Sequence, residues 1–185
     1  SMHSMDNYYV SKLIALMAEA RLNVVANPLI NITLQGRHDT YPKRRGMTRV
    51  PELMAAGLTV AFGQDCCMDP WYSLGQADML EVAQMGLHVG QMTSLDAMRA
   101  AYDAVTFNPA KIFGLEGYGF LAGDKADLVV LDARDPIEAI RLRANRLAVI
   151  RRGKVIAESP PRVARLSIEG RPAEVVAASY APRLG

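Results

Sequence analysis

Apolar residues recur at three- and four-residue spacing through Tyr9, Leu13, Leu16 and Met17 behind Asp6, which predicts a capped helix to about residue 20. The period then changes. Residues 22–26 and 58–62 are short, mainly apolar runs that read as buried strands. Between them, 27–46 is a long polar segment with Pro28, Gly36, Pro42 and Gly46, longer than most connections and so a candidate functional loop. Thr48 restarts a helix, with Pro51 in its first turn and Gly57 just past its end. Strand, helix, strand is the alternation that builds parallel sheets. Asp78 then opens a helix to about His88 with Met79, Val82, Met85 and Leu87 available for burial. Ser94 caps another to about Val105, and Thr106 with Pro109 opens a short one ending near Gly114.

Beyond Gly119 the character changes. Residues 126–132 and 147–150 read as strands, and Arg151-Arg152-Gly153 turns the latter into a hairpin with 154–157. The expected organisation is a first domain over 1–118, β-sandwich strands over 119–159, and a loosely structured tail over 160–185 that wraps the body or an oligomer partner. No internal repeat or low-complexity tract interrupts it.

Length and charge narrow the function. The chain has 185 residues, fewer than the roughly 250 of a complete (β/α)8 barrel. Hydrophobic residues make up 50% and charged ones 22%, near the averages of soluble domains, and no apolar stretch approaches a membrane span. A net charge of +2 is too small to argue for nucleic acid. The two cysteines, Cys66 and Cys67, are adjacent, a spacing that suits neither a disulfide framework nor a zinc finger, so a reduced, cytoplasmic setting is expected. Nothing at the N-terminus marks secretion.

Chemistry concentrates after the second apolar run. Gly63 ends that run and Asp65 follows, with Trp71 six residues on. Barrel enzymes keep their catalytic groups at the C-terminal ends of buried strands, where an aspartate is placed to hold a metal or a proton. Gly, Asp and Pro are also ordinary turn residues, so a plain turn is the alternative.

Several segments together resemble the amidohydrolase superfamily, and within it the cytosine deaminases: Met2-His3-Ser4, Val25-Ala26-Asn27-Pro28-Leu29, Leu34-Gln35-Gly36-Arg37, Asp39-Thr40-Tyr41-Pro42, Arg44-Arg45-Gly46, Asp69-Pro70-Trp71-Tyr72 and Gly86-Leu87-His88-Val89. The stretch from Leu121 to Val130 adds a feature general to amidohydrolases. The resemblance implies an α/β fold, the C-terminal half of a (β/α)8 barrel plus part of a small β-sandwich. It implies one divalent metal, zinc, iron or manganese, with Asp65 as a ligand that also shuttles a proton. It further implies His3 as the histidine that orients the hydrolytic water and Trp71 as an aromatic wall of the base pocket. His38 and His88 acquire no role. A bound divalent ion brings the pKa of water near 7, and a carboxylate beside it can pass the proton to a leaving amine.

Two departures stand out. The His-x-His pair, the further histidine and the proton-donating glutamate of the family are missing from this sequence, so the chain reads as the C-terminal portion of a longer protein, completed by an N-terminal half. Alone it is expected to be inactive. Second, Gln64-Asp65-Cys66-Cys67 stands where cytosine deaminases have His-Asp-Asp. Cys66 is therefore assigned to the substrate side, where loss of a charge favours 5-methylcytosine or isocytosine over cytosine by about 1–3 kcal/mol. The expected partners are a small nucleobase-like substrate, the N-terminal half and further copies in a homo-oligomer, with no nucleic acid and no membrane. Three alternatives stay open: hydrolysis of another cyclic amidine such as creatinine, a thiol nucleophile at Cys66, and a non-catalytic assembly fragment.

Overall fold

The computed structural model describes residues 2–176. The chain divides into two compact units, Ser1–Glu116 and Gly117–Gly185.

The first unit opens with a single 3-10 turn, Met2–Ser4, and helix α1, Asn7–Glu19. Asp6 caps α1 by accepting the Tyr9 backbone N–H at 3.0 Å. Its buried stripe is Val10 and Ile14, one turn apart, with Leu13 and Met17 at the margin; Tyr9 and Leu16, expected on the inner face, are exposed. Strand β1, Val24–Ala26, leads into helix α2, Pro28–Leu34. Helix α2 corrects the expectation of an unbroken polar loop. Pro28 occupies its first turn, where the missing N–H costs nothing, and Pro28, Leu29 and Ile30 are buried. Only the remainder of that segment is irregular, and it is clasped by Arg44, whose guanidinium donates to both Asp39 oxygens at 2.5 and 2.7 Å.

Helix α3, Val50–Ala55, carries Pro51 at its start. Strand β2, Val60–Phe62, follows and is buried throughout. Strands β1 and β2 pair in parallel, Val24 with Val60 and Ala26 with Phe62. The partners differ in burial: β2 has both faces covered, whereas Val25 of β1 is exposed, against the expectation of a fully buried run. Helices α4, Met79–Val89, α5, Leu95–Asp103, and α6, Phe107–Ile112, complete the unit. In α4 the buried residues are Leu80, Val82, Ala83 and Gly86, with Met79, Met85 and Leu87 only partly covered. Gly86 lies on the Phe62 ring, and a Cβ there would come closer than 3 Å to two ring carbons. The Phe62 N–H donates to the Ala104 carbonyl at 2.8 Å, and Asn108 Nδ2 donates to the Val60 carbonyl at 2.8 Å, tying β2 to the residues around α5 and α6.

The second unit is an antiparallel sheet of β3, Leu128–Leu131, β4, Arg146–Arg151, and β5, Lys154–Glu158, in that order, with helix α7, Pro136–Leu142, between β3 and β4. The expected hairpin is present. Arg152 (φ 48°) and Gly153 (φ 74°) both take the left-handed conformation that a two-residue turn between twisted strands requires. Strands β6, Val163–Arg165, and β7, Glu174–Val176, pair antiparallel where a loose tail was expected; residues 177–185 of that tail lie outside the described residues. Among the described residues no helix is long and apolar enough to cross a membrane.

Candidate functional site

The C-terminal ends of β1 and β2 bring two polar side chains together. Asn27 follows β1 directly and Asp65 stands three residues past β2; because the strands are parallel and in register, the two positions meet. Asn27 Nδ2 donates to Asp65 Oδ2 at 2.8 Å. Gly63 makes room for this contact, since a Cβ at that position would collide with Asn27 Oδ1. Asp65 itself has φ 62°, a left-handed conformation that aspartate tolerates better than most residues. Its carboxylate is exposed while the strand behind it is buried.

The loop after Asp65 is organised by a second carboxylate. Asp69 Oδ1 accepts the backbone N–H groups of both Trp71 and Tyr72 at 2.9 Å, a side-chain turn that fixes the backbone of the tryptophan. Trp71 is 68% exposed, so its ring is presented to solvent rather than packed. Tyr72 is buried, and burial, with the nearby Glu81 charge, pushes its hydroxyl pKa up.

Cys66 sits between the two carboxylates. It is 8% exposed, and its Sγ donates to Asp65 Oδ1 at 3.2 Å. A hydrogen bond to Asp69, burial and the Asp65 contact together push its thiol up to about 12. Asp69 is lowered in turn, chiefly by the Tyr72 backbone N–H and then by the Cys66 thiol. Gln64 Nε2 donates to the Cys66 carbonyl at 2.9 Å, and Gln64 Oε1 is buried without a partner. A thiol held in its protonated form between two anions is a hydrogen-bond donor and a poor nucleophile.

His3 lies in the opening 3-10 turn, with Nδ1 3.0 Å from Ser4 Oγ and its ring stacked over Gly46, where a Cβ would collide with it. A cavity of about 320 Å³ is bounded by Met2, Met5, strand β1, Asn27, Asn31 and Thr48, so the residue before His3 and the asparagine beside Asp65 both line it. His88 is bonded within its own helix, Nδ1 to the Gln84 carbonyl at 2.7 Å.

The geometry therefore joins Asp65, Cys66 and the Trp71 loop into one hydrogen-bonded group. Two of its members carried no role in the sequence reading. Asn27 could have been found from its place after a strand, matching that of Asp65; Asp69 from the Asp-Pro-Trp spacing of a side-chain turn. Among the described residues no three His, Cys, Asp or Glu side chains form a metal-binding group. A structural or catalytic metal site needs three or four ligands, so this chain by itself offers Asp65 as a candidate ligand and does not fit a complete site.

Residues 2–165 match the family model described as the amidohydrolase family. Over 163 residues the chain is 35% identical to a pterin deaminase of Rhizobium rhizogenes, covering 87% of this chain and 37% of that protein. Over 116 residues it is 32% identical to an N-isopropylammelide isopropyl amidohydrolase of a Pseudomonas species, covering 62% of this chain and 29% of that protein. Among solved structures, 5-methylcytosine deaminase from Klebsiella pneumoniae, liganded with 5-fluorocytosine, superposes with a TM-score of 0.86 at 43% identity. That match covers 89% of this chain and 40% of that one. The chain thus spans well under half the length of these relatives, and its mixed α/β fold is that of their C-terminal portion.

Proposed function

The chain belongs to the amidohydrolase family, and from that premise we propose that it is the C-terminal part of a hydrolytic deaminase acting on a cytosine-like base. The observation that carries the reading is the exposed Asp65 carboxylate, held by Asn27 where two parallel strands end. A carboxylate fixed there can take a proton from the attacking water as its oxygen adds to the amidine carbon. It can return that proton to the exocyclic nitrogen as the C–N bond breaks, releasing ammonia and leaving a ring carbonyl. His3 orients the water and Trp71 offers a flat face to the heterocycle, which suits an aromatic ring with few rotatable bonds. The remaining metal ligands come from the N-terminal half, and the isolated chain is inactive.

Within this reading the substrate is a modified or rearranged pyrimidine, 5-methylcytosine or isocytosine ahead of cytosine. Two features support it: a neutral, uncharged residue at Cys66 in place of a second aspartate, and similarity to a structure whose name specifies 5-methylcytosine. The 35% identity to a pterin deaminase favours a second reading, a bicyclic amidine as substrate. Ammonia release by the complete protein from cytosine, 5-methylcytosine, isocytosine and pterin separates the two. A higher kcat/KM for 5-methylcytosine or isocytosine is expected. Preference for plain cytosine removes the specificity argument, and turnover of pterin alone replaces the pyrimidine reading. Intact mass and metal content of the active species test the N-terminal half and the divalent ion directly.

A further inference from the structure

Every donor to the Asp65 carboxylate described above is neutral, and each oxygen has its own: Asn27 Nδ2 on Oδ2 at 2.8 Å and Cys66 Sγ on Oδ1 at 3.2 Å. A carboxylate on a left-handed residue at the end of a strand is poorly directed by its backbone alone, so these two bonds set where its oxygens point. Asp69 lies beside the cysteine and holds the backbone of Trp71 and Tyr72. The main chain of Cys66 is fixed from behind by Gln64. We propose that Cys66 is a positioning residue: its S–H aims the Asp65 carboxylate. Cys66 then acts through another side chain and does not itself contact the base. The specificity change at this position follows from a repositioned carboxylate. The kinetic part of this inference rests on the deaminase reading.

The neighbouring Cys67 supplies an internal comparison, because its thiol is exposed and only its backbone N–H bonds to Asp69. In the complete protein, Cys66→Ala is expected to lower kcat/KM about 10- to 100-fold, the effect of removing a hydrogen bond to a charged group. The loss should fall chiefly on kcat, through Asp65. Cys66→Ser keeps a donor and recovers most of the loss, while Cys67→Ala changes neither parameter. Equal activity in the alanine and serine variants would mean that Cys66 only fills space. A selective change for 5-methylcytosine over cytosine, with kcat on cytosine intact, would place the thiol against the ring. Either result overturns the proposal. A readout independent of turnover is the infrared S–H stretch, assigned by difference against Cys66→Ser. The Cys66 band is expected below that of Cys67, and Asp65→Asn should move it upward. A Cys66 band coincident with that of Cys67 overturns the link even if no base is deaminated, whereas a displaced band beside an inactive protein leaves the link standing and removes the deaminase reading.

Discussion

Strand β2 and strand β5 are both short, mainly apolar runs, yet the first is buried at every position and the second is exposed at every position. The difference follows from pairing and cover. In the first unit a parallel strand is packed under Gly86 of helix α4 and tied to the residues around α5 and α6, so its side chains leave water on both faces and its polar successors emerge at one end. In the second unit an antiparallel meander closes through a tight turn and needs no such cover, and Val129, Val155 and Ile156 stay exposed. One region therefore offers a rigid edge on which to mount Asp65 and Asn27. The other has its buried charge, Glu138, answered locally by Arg134 and Arg141.

The strongest way to break this contrast is to neutralise one carboxylate in each unit. Asp65→Asn in the complete protein should lower kcat by about 10²- to 10⁴-fold, the usual scale for losing a positioned acid or base. Glu138→Gln should leave kcat unchanged when assayed below its melting temperature. Comparable losses in both would show that the chemistry is not confined to the strand ends.

The core gives the next largest effect. Phe62→Ala removes a fully buried ring and is expected to cost about 3–5 kcal/mol in denaturant unfolding. Gly86→Ala drives a methyl into that ring and should cost about 1–3 kcal/mol. Ile156→Ala on the exposed β5 should stay within about 0.5 kcal/mol. A large loss at Ile156 would mean that the β5 surface is covered in the complete protein.

Much of this was legible from the residues. The apolar run 58–62 and the Asp65 that follows it announced a strand end with chemistry, and Arg152-Gly153 announced its hairpin. Helix α2 was hidden because its seven residues sit inside a stretch dominated by turn formers, although Pro28 after Asn27 is a helix-start signal. The inner face of α1 was misread on one side, since Tyr9 and Leu16 flank Leu13 and Met17 on the side away from the buried Val10 and Ile14, at least about 100° from both. The site was legible only as separate letters. That Asn27 would reach Asp65 depends on the β1–β2 register, and that Cys66 would turn inward depends on the backbone of Asp65; neither is a property of spacing along the chain.

Glu138 sharpens the comparison on the structural side. It is 4% exposed and accepts from the Arg134 backbone and guanidinium, which hold its carboxyl below the usual range. Because the native value lies below the unfolded one, its contribution is complete above the ordinary glutamate range and fades as pH falls through the lowered native value. With half-exposed arginines as partners, Glu138→Gln should cost about 1–2 kcal/mol at pH 7. The gap between variant and parent should narrow on acidification. A gap that widens instead would mean that the ion pair is not its origin.

Trp71 carries the smallest expected change, and it asks whether the loop belongs to the chemistry or to the scaffold. Its ring is exposed while its N–H is bonded to Asp69, so truncation removes little buried area and leaves the turn's backbone bonds in place. Trp71→Ala should therefore alter unfolding stability by less than about 0.5 kcal/mol. If the ring stacks on the base, the lost contact is worth about 0.5–1.5 kcal/mol, which raises KM by about 2- to 10-fold with kcat nearly constant. Asp69→Asn weakens the turn instead, so it should raise KM and also lower stability, because the two backbone N–H groups lose a charged acceptor. Stability and KM thus respond separately in one variant and together in the other. A melting temperature that falls in Trp71→Ala with KM unmoved would make the tryptophan a packing residue covered in the complete protein, and would align this loop with the second unit's structural role.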